Sequence, residues 1–364
     1  MSLPFNPALK SLPVYQPGRP IEEVARELGL AAAEIIKLAS NENSFGPSPL
    51  AVAAIERALK QAHLYPDGNA FFVKQRLAGK LAVEPANLIF GNGSNEIIEL
   101  IGHALLDAHS EVVVSQYCFA VYPIVTHLFG AKLVTVPAKK FGHDLDSMLA
   151  AITPKTRIVF VANPNNPTGT HAAREEIVRL INGVPPNVLL AMDEAYIEFV
   201  TDSIDLLPLV RRGDFPNLLL MRTFSKIYGL AGLRIGYGIG HADLIAALEK
   251  IRQPFNINSL AQAGALAALD DTEHIQRTRS NNEVGLRFYE NAFRRMELQH
   301  VPSVTNFILV KVGDGQRVFA ELQKRGVIVR PVAIYQLPEW VRISIGTPAE
   351  NARCVAALQE VLGM

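Results

Sequence analysis

The sequence predicts an α/β protein: a large domain with a mostly parallel sheet sandwiched by helices, plus a smaller α+β domain. Two observations carry this. From residue 88 short, fully apolar, β-branched runs alternate with stretches of helical periodicity, the pattern of a parallel sheet covered on both faces. After residue 256 the texture changes to long helical stretches followed by a cluster of strands. The strand runs are "LIF" (88–90), "EVVVS" (111–115), "KLVTVP" (132–137), "RIVFVAN" (157–163), "VLLAMDE" (188–194), "LLLMRTF" (218–224) and "LRIGYGIG" (233–240). Helices are expected at 48–65, behind a Ser-Pro start, and at 95–106 and 174–183. The smaller domain has helices within 258–297, strands "NFILVKV", "VIVRPV" and "WVRISIG", and a closing helix at 349–363. Three segments result: 1–37, a proline-containing arm and the short helix 21–30, set against the small domain or a partner subunit; a large domain at 38–256; and a small domain at 257–364.

Composition excludes several functions. Lys plus Arg and Asp plus Glu both number 35, so no excess charge calls for nucleic acid or an anionic membrane surface. No apolar run reaches the ~18 residues of a membrane span, and the N-terminus lacks the basic-then-apolar order of a signal peptide. The two cysteines, Cys118 and Cys354, lack C-x-x-C spacing, and the histidines lack H-E-x-x-H spacing, so no metal site is expected. The chain reads as a soluble cytoplasmic protein.

In open α/β sheets, ligands gather at the C-terminal ends of the strands. "GNGSNE" (91–96) follows the first strand and opens a helix, whose free N–H groups favour an anion. It lacks the third glycine of a dinucleotide fingerprint, so it reads as a single-phosphate turn or as a plain tight turn capped by Ser94. "NPNNPTG" (163–169) follows the fourth strand, Asp193 ends the fifth with Tyr196 just beyond, and Ser225 and Lys226 follow the sixth. Taken singly these are a turn, a strand-end carboxylate and a solvated lysine. Together they are what pyridoxal 5'-phosphate (PLP) needs: a phosphate turn, a carboxylate for the pyridine nitrogen and an amine for a Schiff base.

"NPNNPTG", "DEAY" and "TFSKIYGLAGLRIGY", in that order and spacing, resemble the fold-type-I PLP-dependent aminotransferases over nearly the whole chain. "LASNENSFGPSP" (38–49), "YPDGN" (65–69) and "VRISIGT" (341–347) resemble the histidinol-phosphate branch in particular. The resemblance implies a PLP-transferase fold. It makes Lys226 the Schiff-base lysine, Asp193 the partner of the pyridine N–H, and Asn166 and Tyr196 the hydrogen-bonding pair on the ring oxygen. Ser94, Thr223, Ser225 and Arg234 match the phosphate cradle, with backbone N–H groups from Gly93 to Asn95. Phe119 matches the ring that stacks on the pyridine. Tyr65 matches a tyrosine reaching the phosphate of the neighbouring subunit, which implies a homodimer. Asn95 stands where Asp is frequent and Ser44 where proline is usual; neither touches the acid–base groups.

Substrate choice falls to the small domain. Arginines inside apolar strands, Arg330 in "VIVRPV" and Arg342 in "WVRISIG", suit oxyanion capture, because the planar guanidinium binds carboxylate and phosphate alike; the bland alternative is a buried ion pair. By resemblance Arg342 takes the substrate carboxylate and Arg330 helps hold a phosphate, while Tyr15 and Asn43 line the substrate pocket. The implied reaction converts L-histidinol phosphate and 2-oxoglutarate to imidazole-acetol phosphate and L-glutamate, a step of histidine biosynthesis. Its rivals are an aminotransferase for phenylalanine or tyrosine and a decarboxylase acting on threonine phosphate.

Overall fold

The computed structural model describes residues 3, 5, 7–10, 12 and 18–364. Seven strands form the main sheet: β1 (Leu88–Gly91), β2 (Glu111–Ser115), β3 (Lys132–Val136), β4 (Thr156–Ala162), β5 (Leu189–Asp193), β6 (Leu218–Thr223) and β7 (Gly236–Gly240). Their order is β1-β7-β6-β5-β4-β2-β3. Neighbours pair in parallel except β7, which runs antiparallel to both β1 and β6. That reversal matters for the site. The chain entering β7 arrives at the same edge of the sheet where β1, β4, β5 and β6 end.

Both faces of the sheet are buried, and side chains alternate between them as the two-residue strand period requires. Leu88, Val113, Val159, Val161, Leu190, Met192 and Leu220 pack in the core on one face. Ile89, Val112, Val114, Ile158, Phe160, Ala191 and Leu219 pack on the other. This two-sided burial explains why the strands read as unbroken apolar runs.

The second sheet holds β8 (His300–Val301), β9 (Phe307–Lys311), β10 (Arg330–Val332) and β11 (Leu337–Ser344), ordered β10-β11-β9-β8 and antiparallel throughout. Its apolar face packs with Thr272–Arg295, Gly315–Lys324 and Pro348–Leu362 through Tyr289, Phe293, Val318, Leu322 and Leu358. Phe307 instead joins the core of the main sheet, so one strand touches both units. Near the N-terminus, Ile36–Lys37 pairs in parallel with Val327–Ile328, and Val24 of the Ile21–Leu28 helix packs against Ile328.

Some elements differ from the sequence expectation. The helix expected over 48–65 spans Pro49–Leu59, capped by Ser48 Oγ, which accepts from the N–H of Ala51. Beyond it the chain turns, and Asp67 accepts from the N–H of Phe71 to start a further helix, Phe71–Leu81. "VIVRPV" is two short strands in different sheets. Ile257, Ala261, Ala265, Ala268 and Leu269 belong to the core of the main sheet, so the packing of that unit continues past residue 256. Among the described residues no helix is long and apolar enough to cross a membrane, and no cluster of His, Cys, Asp and Glu could hold a metal ion.

Candidate active site

Four of the strand-end segments meet around a cavity of about 400 Å3 between the two sheets. Lys226 follows β6, and its side chain enters this cavity. Its Nζ lies 5.6 Å from the centre of the Tyr196 ring and donates a long 3.4 Å hydrogen bond to the carbonyl of Ser40. Burial, then the nearby Arg342, pulls the Lys226 amine down from its ordinary 10.5 to about 8, with Arg234 adding to the effect. A substantial neutral fraction at physiological pH is what a nucleophilic or proton-transferring amine needs.

Asp193 closes β5 on the cavity floor. Its Oδ2 accepts from the Tyr122 hydroxyl at 2.7 Å, and its Oδ1 from the N–H of Ala195 at 3.2 Å. Burial pushes its pKa up, opposed by the Tyr122 hydrogen bond. Tyr122 had no distinguishing signal in the sequence. It sits in the apolar segment "VYPIVTHL", and only the fold brings its hydroxyl 2.7 Å from the carboxylate. Its ring stacks on Phe160 at 4.4 Å, which fixes the phenol's direction.

The other end of the cavity is a cradle of small and polar groups. Ser94 begins the Ser94–Leu105 helix, with Gly93 before it at φ +77°. A Cβ on Gly93 would run into the Arg234 guanidinium, and one on Gly236 into the backbone N of Ser94. Gly236 is therefore required by close approach of backbone, and Gly93 by its positive φ. Gly236 pairs in register with both Gly91 and Thr223, seating the turn directly over β7. Thr223 Oγ1 accepts from the N–H of Ser225 at 3.0 Å, and Arg234 enters β7 in the left-handed conformation at φ +56°. Ser94, Asn95, Thr223, Ser225 and Arg234 all line the cavity, as does Phe119.

The wall opposite comes from the second sheet. Arg330 and Arg342 face each other in register across β10 and β11, and both line the cavity. Arg342 donates to Asn166 Oδ1 at 2.5 Å and to the Ala39 carbonyl at 2.8 Å. Asn166 in turn donates to the Tyr196 hydroxyl at 3.4 Å. Of the remaining expected residues, Asn43 is not among those lining the cavity. Its amide donates to the Ile227 carbonyl and to Thr278 Oγ1, tethering the residue next to Lys226. Tyr65 is 84% exposed and stacks on Phe255 at 4.8 Å, away from this chain's cavity. Tyr15 lies outside the described residues.

The sequence profile of the aminotransferase class I and II family matches residues 33–358. The chain belongs to that family. Among relatives of this aminotransferase, the histidinol-phosphate aminotransferase of Akkermansia muciniphila is 54% identical over 358 residues, 98% of each chain. The histidinol-phosphate aminotransferase 1 of Thiobacillus denitrificans is 50% identical, covering 98% of this chain and 93% of its own. Among solved structures, the histidinol-phosphate aminotransferase of Sinorhizobium meliloti in complex with pyridoxal-5'-phosphate superposes with a TM-score of 0.92 at 31% identity. That match covers 100% of this aminotransferase and 98% of the other chain.

Proposed function

We propose that this chain is a PLP-dependent aminotransferase that exchanges an amino group between L-histidinol phosphate and 2-oxoglutarate. The observation that carries the reading is one cavity holding a pKa-depressed amine between a buried carboxylate and a cradle for a phosphate, with two arginines on the facing wall. The residues fit the cofactor. Ser94, Asn95, Thr223 and Ser225 line one end of the cavity, where the helix N-terminus at Ser94 and Arg234 supply donors and charge for a phosphate. When bound, PLP supplies an electron sink that makes the substrate's Cα–H acidic.

Each residue then has one task. Lys226 would hold the cofactor, and its Nζ, partly neutral near pH 8, is the group placed to hold and move a proton beside the substrate's Cα. Asp193 would pair with the cofactor's ring N–H, a cationic partner that would keep the buried carboxylate anionic. Tyr122 fixes that carboxylate's direction. Asn166 and Tyr196 would donate to the ring oxygen, and Phe119 would cover the ring face. Arg342 takes the carboxylate of glutamate or 2-oxoglutarate, and Arg330 beside it takes the phosphate of histidinol phosphate. An aromatic amino acid would leave that second cation without a task, and loss of CO2 would need no oxo-acid acceptor. Residues 38 to about 270 would carry the cofactor, with the remainder and the N-terminal segment forming the substrate unit; such a biosynthetic enzyme is placed in the cytoplasm.

A homodimer is part of the same proposal. Tyr65 is not among the residues lining this chain's cavity; its exposed ring stacks on the exposed Phe255, and Leu64, Phe71 and Phe72 nearby in sequence are exposed as well. Exposed aromatic and aliphatic side chains of this kind suit a protein–protein surface. The test of the whole reading is covalent and kinetic. Borohydride should fix the cofactor on Lys226, and Lys226→Ala should lose turnover by about 10⁴-fold or more. Single-turnover half-reactions should favour histidinol phosphate over phenylalanine in kcat/KM. Near-normal turnover in Lys226→Ala sinks the mechanism, and a preference for phenylalanine sinks the substrate.

A further inference from the structure

The segment preceding the main unit lies across the cavity, and each of its residues 39–41 touches a site group. The Ala39 carbonyl accepts from Arg342, the Ser40 carbonyl from Lys226, and Asn41 Nδ2 donates to the Tyr196 hydroxyl at 3.0 Å. Asn41 is only 1% exposed and sits in the left-handed region at φ +56°. Asn tolerates that conformation better than most residues. Its remaining polar atoms are committed to the second sheet and its surroundings. The Asn41 N–H donates to Ser344 Oγ at 2.8 Å, Ser344 Oγ donates to Asn41 Oδ1 at 3.0 Å, and the Asn41 carbonyl accepts from Asn306 at 3.0 Å.

These bonds fix directions as well as positions. A backbone N–H can only donate, so Ser344 Oγ accepts from it and spends its own proton on Asn41 Oδ1. That leaves Asn41 Nδ2, a donor, against the Tyr196 oxygen. On the other side Arg342 can only donate, so Asn166 Oδ1 accepts from it and Asn166 Nδ2 faces the same phenol oxygen. Tyr196 thus receives two donors, and its own O–H must point elsewhere. The cavity is the direction left to it.

We propose that Asn41 is a positioning residue that makes Tyr196 a committed hydrogen-bond donor into the cavity. The inference rests on the PLP reading above and extends it to a residue that the cofactor does not touch. Asn41 and Asn166 reach Tyr196 from opposite ends of one ring of bonds, Asn41–Tyr196–Asn166–Arg342–Ala39. Ser344 and Arg342 both lie on β11, so seating that strand orients the phenol. A phenol that accepts a hydrogen bond is a stronger donor, and it draws negative charge on a bound ring oxygen more firmly toward itself.

The test uses the holoenzyme and the pH titration of the cofactor's visible absorbance. Asn41→Asp keeps the shape and the tolerance for a left-handed backbone, but its second oxygen can only accept from Tyr196 and so draws the phenol proton out of the cavity. The charged groups already facing the phenol, Lys226, Asp193 and Arg342, are unchanged, and the variant adds one carboxylate to them. With the ring oxygen less stabilised, the imine nitrogen conjugated to it holds its proton to higher pH. The midpoint should rise by about one pH unit, the size of one charge-assisted hydrogen bond. Ser344→Ala, which frees the amide to turn, should give a smaller rise in the same direction. In a Tyr196→Phe background the Asn41→Asp shift should fall to the part its added charge exerts through space, and Ser344→Ala, which adds no charge, should shift nothing. If both Asn41→Asp and Ser344→Ala titrate as wild type, or if the Ser344→Ala shift persists in the Tyr196→Phe background, the inference is overturned. A wild-type protein with no band fixed by borohydride overturns the cofactor reading and the inference together.

Discussion

Lys226 is a residue whose chemical usefulness is a cost to the fold. Its amine titrates near 8 in the folded protein, below its ordinary 10.5, first because it is buried and then because Arg342 is close. Between those two values the unfolded chain binds more protons, so stability rises with pH across that window and the penalty is complete below it. Removing the amine should therefore stabilise the cofactor-free protein. Lys226→Met apoprotein is expected to be more stable than wild type at pH 7 by about 1–2 kcal/mol, discounted because the side chain keeps some solvent access. In urea titrations the difference should shrink as pH rises from 8 toward 10; a constant difference would mean that volume and not charge is responsible. The same scale shows what motifs reveal. Lys226, Asp193, Asn166 and Arg234 were legible because each stands in a short stretch whose neighbours share its task. Tyr122 was not, and although Asn41 stands within "LASNENSFGPSP" its contact was not, because their partners, Asp193 and Tyr196, are 71 and 155 residues away in sequence.

At the scale of elements, the direction of β7 decides where the phosphate cradle can form. Because β7 runs against β6, Arg234 and Gly236 at its start lie beside Thr223 at the end of β6 and beside Gly91 at the end of β1. A Cβ at residue 236 would meet the Ser94 N, the Gly93 carbonyl carbon at 2.8 Å and the Arg222 oxygen at 3.1 Å. All three are backbone, and none can rotate aside. Gly236→Ala is expected to push the 91–95 turn off the strand, weakening PLP affinity by about tenfold or more while lowering apoprotein stability by about 1–3 kcal/mol. Fluorescence titration with PLP beside a thermal melt separates the two effects, and unchanged affinity would place the cradle elsewhere. The strands themselves were readable because burial on both faces leaves an unbroken apolar signature, as in Glu111–Ser115, which spans the expected residues. Helix ends were less so. Apolar periodicity continues past Leu59, and the stop there comes from a turn, with the next helix begun by the Asp67 side chain. Likewise "VIVRPV" has strand composition throughout, but its two halves pair with different partners, Ile36–Lys37 and β11.

At the scale of the whole molecule, one chain supplies the floor, the cradle and the arginine wall of its cavity, and Tyr65 sits outside it. The 84% exposed Tyr65 ring is stacked on Phe255, with Phe71 and Phe72 also largely exposed nearby in sequence. In the proposed homodimer a second copy of the chain would cover this surface, and a two-fold arrangement would set each Tyr65 in its neighbour's site. This arrangement has a consequence that no monomer can imitate. Tyr65→Ala homodimers lose a phosphate donor in both sites, and Lys226→Ala homodimers lose the reactive amine in both. When the two variants are unfolded together and refolded, a mixed dimer contains one site with both defects and one with neither. Random pairing makes half the dimers mixed, so the pool should recover about a quarter of wild-type activity at limiting PLP. Each parent refolded alone should stay near its own low value. Recovery no greater than the average of the parents would show that Tyr65 serves its own chain or none, and the shared site would have to be abandoned.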